Sequence, residues 1–302
     1  MKKITAIVWH STAVRLKTAG KELKGIVDAK IYSGRNLDEE KESFDELCRD
    51  IYSSDILLLN VTSGDSIWDD IFAYIDDKDI KKIYIGANAT EFIKDSETLE
   101  NSAKCNDYYT FSGTVNLINL LKYAACLAGD KEIDYEEPVQ TPWEGIFHPD
   151  DPDKEYESPD DYFKEYPKSD KGVIAILVAR GSKINNDLEP EKEIIKQIEE
   201  KGYSTLPVYT YSWPEPSLGA KGAAWAIKKY MFDESGKAIP DALIKMTGFF
   251  INGRNDSDSK ELLKELNCPV FKPVCSYNTT IEEWEESKDG TIKDVGWSIA
   301  LP

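Results

Sequence analysis

The sequence is poor in the residues that metal centres and disulfide frameworks need. It contains two histidines, His10 and His148, and five cysteines that are widely spaced and form no C-x-x-C pair. Two histidines exclude a multi-histidine metal cluster within the chain, and the cysteine spacing is typical of neither a zinc site nor a set of disulfides. Unpaired cysteines favour a reducing compartment, so we expect a cytoplasmic protein.

Nucleotide-binding motifs, serine-nucleophile motifs and membrane-spanning runs are also missing. The sequence has no G-x-G-x-x-G turn after a first strand, no G-x-x-x-x-G-K-[ST] loop and no G-x-S-x-G elbow. No apolar run approaches the roughly 18 to 20 residues that span a bilayer. These absences argue against a dinucleotide cofactor, P-loop hydrolysis and membrane insertion.

Positive charge is scarce relative to negative charge. The 302 residues include 37 Lys and Arg against 56 Asp and Glu, which gives a formal net charge of −19. A field of that sign repels phosphate backbones and anionic lipid surfaces. We therefore expect no nucleic-acid partner.

The residues that are present predict an α/β protein. Hydrophobic residues make up 41% of the chain, and short β-branched apolar runs alternate with longer stretches of helical period. This alternation is typical of βαβ units that build parallel sheets. It predicts two doubly wound, Rossmann-like or flavodoxin-like domains with mostly parallel sheets: a first domain at 1–130, an acidic connector at 131–170 and a second domain at 171–302.

The periodicity also locates the individual elements. Strands are predicted at 4–9, 27–32, 55–61 and 82–87 in the first domain, and at 172–179, 205–211, 242–249 and 269–274 in the second. Helices are predicted at 12–23, 37–52, 67–75, 114–127, 189–201, 222–230, 257–266 and 281–287.

Candidate ligand contacts follow the strands, because open α/β sheets bind ligands beyond the carboxyl ends of their strands. In the second domain these positions hold Arg180, Ser182, Tyr211, Thr247, Tyr277 and Asn278. Arg180 could pair bidentately with a ligand carboxylate or form an interdomain salt bridge with the acidic connector. Tyr211 and Tyr277 could line a planar ligand or simply pack.

Other polar residues give weaker signals. His10 follows the first strand and could contact a ligand or cap the strand end. The acidic pairs are interpreted as solvated surface, and we assign no catalytic residue and no metal ligand.

Several ordered motifs then resemble a known family, the large subunit of cobalt and magnesium chelatases (CobN and the H subunit of magnesium chelatase). They cover most of the chain from about residue 105 onward. The passages that carry the resemblance are residues 109–121, 142–150, 162–163, 176–182, 185–186, 244–249, 268–270, 278–284 and 298–302.

The resemblance implies a ligase-class activity, ATP-dependent insertion of Mg2+ or Co2+ into a tetrapyrrole. This chain would be the amino-terminal portion of the tetrapyrrole-binding subunit and inactive alone. Separate AAA+ ATPase subunits would use ATP and Mg2+, and this chain would bind no cofactor. Against a tetrapyrrole, Asn185 would supply a hydrogen bond beside Arg180, and His148 would be an axial or orienting group or a hinge contact.

A different class of function also fits two doubly wound domains. A stand-alone ligand-binding or regulatory module could have the same architecture, because a fold does not determine a function.

Overall fold

The chain forms two compact units. The computed structural model describes residues 1–61, 66–86, 99–247, 251, 257–273 and 281–288. The units comprise residues 1–141 and 142–302, and each contains a sheet of mostly parallel strands with helices on both faces. The predicted fold class is therefore confirmed.

The first unit is built on a parallel sheet of four strands in the order β2-β1-β3-β4. All four residues of β3 are fully buried, because a parallel sheet is covered on both faces and its central strands must be apolar throughout. The strands are β1 Lys2–Val8, β2 Val27–Ser33, β3 Ile56–Leu59 and β4 Lys81–Tyr84. The helices are α1 His10–Glu22, α2 Gly34–Asp38, α3 Phe44–Ser53, α4 Ile67–Ile75, α5 Leu99–Phe111 and α6 Gly113–Leu127.

The helix predicted at 37–52 is two helices. Glu40 adopts a left-handed conformation (φ 55°), and the Ser43 side chain accepts a hydrogen bond from the Glu46 amide to begin α3. The charged run between α2 and α3 has no apolar face to bury, so it breaks the helix. Helix α5 was not predicted, because its sequence has little helical amphipathicity.

The second unit has a six-stranded sheet in the order β10-β9-β7-β8-β5-β6. Its four consecutive strands β10, β9, β7 and β8 are parallel, whereas β5 runs antiparallel to both β8 and β6. The strands are β5 Glu144–His148, β6 Asp151–Tyr156, β7 Val173–Ala179, β8 Ser204–Thr210, β9 Ala242–Lys245 and β10 Val270–Phe271. The helices are α7 Pro159–Glu165, α8 Arg180–Ile184, α9 Glu189–Glu200, α10 Ala223–Tyr230, α11 Ser257–Leu266 and α12 Ile281–Glu286.

Residues 131–170, predicted to be a connector, are divided between the two units. The early part is extended and held by two buried asparagines of α6: Asn116 exchanges two hydrogen bonds with the Val139 backbone (both 2.9 Å), and Asn119 accepts one from the Glu136 amide. The later part supplies β5, β6 and α7 of the second unit.

The two units share a topology. In each, the first parallel strand lies between the second and the third, and the fourth lies beyond the third. The chain therefore reverses its direction of winding between β1 and β3 in the first unit and between β7 and β9 in the second. Such reversal points are where doubly wound sheets bind ligands.

Candidate functional site

The carboxyl edge of the second sheet, where β7, β8 and β9 end, brings together five residues predicted to contact a ligand: Arg180, Ser182, Asn185, Tyr211 and Thr247. Strand β7 ends at Ala179 because Arg180 begins the short helix α8. Ser182 and Asn185 follow on or beside α8, and Tyr211 follows β8. Arg180 and Tyr211 thus come directly after parallel strands, and Ser182 and Asn185 lie within the short segment that follows β7.

Arg180 lies beneath the start of β5 and is 5% exposed. Its Nε donates a hydrogen bond to the Pro142 carbonyl (2.9 Å), and its guanidinium carbon lies 4.0 Å from the Trp143 ring centroid. Burial lowers the pKa of Arg180 to about 10, and the nearby Tyr209, Tyr211 and Glu144 oppose that shift. The guanidinium therefore fixes residues 142–143 against the sheet edge.

The neighbouring polar residues form local contacts. The Tyr211 ring packs edge-on against Trp143 (centroids 5.3 Å apart), and its amide donates to the Trp143 carbonyl. Asn185 Nδ2 donates to the Gly181 carbonyl at 2.8 Å, and the Ser182 carbonyl accepts from the Asp187 amide. These contacts hold the loops after β7 and β8 in place.

Sequence reasoning missed a second cation at this edge. Lys245, the last residue of β9, is 4% exposed, and its Nζ lies 3.5 Å from the Thr247 carbonyl. Burial and the positive charge of Lys272 lower the pKa of Lys245 to about 8. The signal in the sequence is a lysine within the apolar run Ala242–Met246.

Thr247 lies at the same edge and is 2% exposed. Within the described ranges its Oγ1 has no hydrogen-bond partner. A buried hydroxyl without a partner carries a desolvation penalty, so this group is available to a ligand. Tyr277 and Asn278, the remaining strand-end candidates, lie outside the described residues.

His148 is placed at the opposite edge of the second sheet. Strand β5 begins beside the end of β8, with Glu144 opposite Thr210, and runs antiparallel towards the amino edge, where His148 ends it. The Asp150 amide donates to Nδ1, which leaves Nε2 as the nitrogen that donates towards Glu199 Oε1 (3.3 Å). The imidazole also stacks on Tyr166, with centroids 4.1 Å apart. His148 therefore does not join Arg180.

The first unit has its own carboxyl edge, which contains His10. Its Nδ1 lies 3.3 Å from Ser33 Oγ at the end of β2. Beside it, Asn60 Oδ1 accepts hydrogen bonds from Tyr109 Oη (2.8 Å) and the Trp9 amide (3.3 Å), and Nδ2 donates to the Ile85 carbonyl (3.0 Å).

Glycine is required beside that network. A Cβ on Gly86 (φ 88°) would lie 2.1 Å from Asn60 Nδ2. Sequence reasoning had no signal for the role of Asn60, because its partners come from three distant segments.

The residues described above contain no group of three or more His, Cys, Asp or Glu side chains placed to hold a metal ion. They also contain no helix that is both long and apolar enough to cross a bilayer.

The fold and the strand-end site define a two-unit, doubly wound α/β protein, and comparisons with known proteins assign its family. The sequence model of the CobN/Magnesium Chelatase family matches residues 106–302, more than half of the chain. The chain belongs to this family. The resemblance read from the ordered motifs is therefore confirmed.

Individual relatives agree with this assignment. MJ1441, an uncharacterised protein of Methanocaldococcus jannaschii, is 31% identical over 311 residues, which cover 99% of this chain and 23% of the relative. The H subunit of magnesium chelatase from Cereibacter sphaeroides is 28% identical over 157 residues, covering 51% of this chain and 12% of the relative. The chain thus spans less than a quarter of the length of these relatives.

A solved structure shares the fold. The catalytic subunit of cobaltochelatase from Mycobacterium tuberculosis superposes with a TM-score of 0.59 at 16% identity, covering 96% of this chain and 22% of that subunit.

Proposed function

We propose that this chain is the amino-terminal portion of the tetrapyrrole-binding large subunit of an ATP-dependent chelatase that inserts Mg2+ or Co2+. The observation that carries the proposal is the family match over residues 106–302, which includes the whole carboxyl edge of the second sheet. The metal ion is a substrate of this reaction.

The proposed division of labour assigns substrate contact to this chain and ATP hydrolysis to AAA+ ATPase subunits, which use ATP and Mg2+. This chain would hold no cofactor and would insert no metal alone. Its described cysteines are free thiols, which supports the proposal of a cytoplasmic protein.

The ligand contacts are proposed at the edge that contains Arg180. The molecule is strongly acidic overall, and the carboxylate arms of a tetrapyrrole are repelled by such a surface. Attraction must then come from the cations and neutral donors at the strand ends: Arg180, Ser182, Asn185, Thr247 and Asn278, with Tyr211 or Tyr277 against the ring.

Absorbance titration of the chain with a metal-free carboxylated porphyrin, and separately with a corrin precursor, tests the proposal. We expect a saturable spectral change with one of them, and Arg180→Ala should weaken binding by about 1.5 to 3 kcal/mol. Arg180→Lys, which keeps the charge, is the matched variant, and circular dichroism checks that both fold. The absence of any spectral change with either ligand would favour the rival class, a binding or regulatory module for other ligands.

A further inference from the structure

Lys245 is a buried ammonium group with no counterion among the residues that the structure describes. Among the described residues no carboxylate forms an ion pair with it, and the charge that acts on its pKa is the positive charge of Lys272. The buried Lys183 of the same unit, by contrast, forms an ion pair with Glu155. A buried charge is normally paired, because leaving water costs several kcal/mol.

The surroundings of Lys245 add to the positive potential. Lys245 is paired with Leu177 in the sheet and lies on the same face as Leu177 and Leu243, the face that α10 and α11 cover. Each of these helices follows a strand that ends at the carboxyl edge, so both begin there. Helix amino termini carry partial positive charge, which favours an anion and disfavours a second cation.

A hydrogen-bond donor lies next to this positive group. Thr247 follows Lys245 by two residues, is 2% exposed, and has a hydroxyl without a hydrogen-bond partner among the described residues. Both residues lie at the point between β7 and β9 where the direction of winding reverses. An anionic oxygen accepts hydrogen bonds from both an ammonium and a hydroxyl and also neutralises the buried positive charge, which a neutral acceptor does not.

We propose that Lys245 and Thr247 form an anion site that receives a single carboxylate at the end of a flexible arm. The inference rests on the proposed function, in which the arm is a side-chain carboxylate of the tetrapyrrole. At 4% and 2% exposure, the two side chains are too deep to meet a macrocycle, so the ring stays outside and only the arm enters. Arg180, which follows the neighbouring strand β7, is another buried cation at this edge.

The first experiment tests the anion site without any tetrapyrrole. Thermal unfolding of the 302-residue chain is followed in sodium propionate and in sodium chloride of equal ionic strength. We expect propionate at saturation to raise the midpoint of the wild type by about 2 °C, because a ligand that binds only the folded state stabilises it. Lys245→Met should lose this rise, and Lys260→Met, which removes an exposed lysine of α11, should keep it. An equal rise in Lys245→Met would overturn the inference.

The second experiment tests whether the carboxylate that binds at Lys245 belongs to a tetrapyrrole. Deuteroporphyrin IX and its dimethyl ester, in the same cosolvent, are compared as ligands. We expect the wild type and Lys260→Met to bind the free acid about tenfold more tightly than the ester. Lys245→Met should lose that preference, and Thr247→Val should reduce it.

The outcomes distinguish a failure of the anion site from a failure of the proposed tetrapyrrole-binding function. If the porphyrin binds but Lys245→Met keeps the preference for the acid, the inference fails and the proposed function stands. If propionate acts through Lys245 but neither porphyrin binds, the anion site stands and its assignment to a tetrapyrrole arm fails, together with the proposed function.

Discussion

The carboxyl edges of the two sheets have the same topology but opposite chemistry. In the first unit the reversal point is filled by the amide of Asn60, whose oxygen and nitrogen are both bonded to the surrounding chain. In the second unit the corresponding edge contains Lys245 without a counterion and the Thr247 hydroxyl without a partner among the described residues. Satisfied polar groups stabilise a fold, whereas unsatisfied ones lower its stability and remain available to a ligand.

The largest change in the free energy of unfolding is expected for a substitution of Asn60, whose side-chain oxygen and nitrogen are both hydrogen-bonded. Asn60→Leu leaves the Ile85 carbonyl, Tyr109 Oη and the Trp9 amide without their partner, and we expect a loss of about 4 kcal/mol in the free energy of unfolding. Urea denaturation measures this loss. Gln197→Leu, an exposed control on α9, should change stability by less than about 0.5 kcal/mol. An Asn60→Leu protein as stable as the wild type would abolish the contrast between the edges.

The second largest change in stability is expected at Lys245, where a substitution should stabilise the protein. Lys245→Met removes a buried charge that has no ion-pair partner in the described part of the chain, so we expect the variant to be more stable than the wild type at pH 7, by up to about 3 kcal/mol. Lys183→Met, which removes the partner of Glu155, should instead be less stable. The matched pair separates an unpaired buried lysine from a paired one.

The advantage of Lys245→Met should also depend on pH. The pKa of Lys245 falls from 10.5 in the unfolded chain to about 8 in the folded one. Below pH 8 the group is charged in both states and the wild type carries the full cost. Between about pH 8 and 10.5 the folded state has lost the proton and the unfolded state has kept it, so the wild type gains stability as pH rises. Denaturation of both proteins should show that the difference between their free energies of unfolding shrinks from pH 8 to pH 10.5. A constant difference would contradict the burial of a charged Lys245.

Smaller changes in stability, of opposite sign, are expected for the buried hydroxyls of Thr247 and Thr210 at the carboxyl edge of the second sheet. Thr247→Val removes an oxygen to which no described residue is hydrogen-bonded, and it should raise stability by about 1 kcal/mol. Thr210→Val removes an oxygen that donates to the Tyr211 carbonyl at 2.8 Å and should lower stability by a similar amount. Thermal unfolding of the two variants compares them directly, and the same sign for both would refute the assignment of Thr247 as unsatisfied.

The smallest effect is expected at the amino edge of the second sheet. Burial disfavours the charged form of Glu199, but hydrogen bonds from His148 and Thr205 outweigh it and lower the pKa of this carboxyl. The side chain is 38% exposed, so solvent screens the interaction, and Glu199→Gln should cost only about 0.5 kcal/mol at pH 7. A lowered carboxyl pKa stabilises the fold fully above the unfolded value of 4.5, and this contribution is lost as pH falls further through the lower pKa of the folded state. Denaturation at pH 7 and pH 3 measures it.

Much of the secondary structure was predictable because its signals are local. Helix α4 has the predicted bounds, and β7 and α9 agree within one residue, since each has a clear apolar period and a distinct boundary. Strands β5 and β6 were missed: β6 is mostly exposed and β5 is five residues long, so neither has a period that stands out from the acidic stretch around it.

The candidate site was predictable in part for the same reason. Arg180 and Tyr211 lie at strand ends that the sequence marks plainly, and the rule for parallel sheets places them at one edge. The rule does not apply to His148, because β5 is antiparallel and its end lies at the other edge. Lys245 escaped notice because its burial depends on helices that come from other parts of the chain.

By itself, the sequence determined the βα order, the acidic character, the strand ends and the motifs that identify the family. The acidic character is a count over the whole chain, and each of the others depends on residues close together in it. Only the tertiary structure decided the direction of β5, the hydrogen bonds around Asn60 and the burial of Lys245 away from any carboxylate of the described residues. These depend on which distant segments exclude water from a polar group and which supply it with a partner, and hydrophobic packing selects those segments across the whole unit.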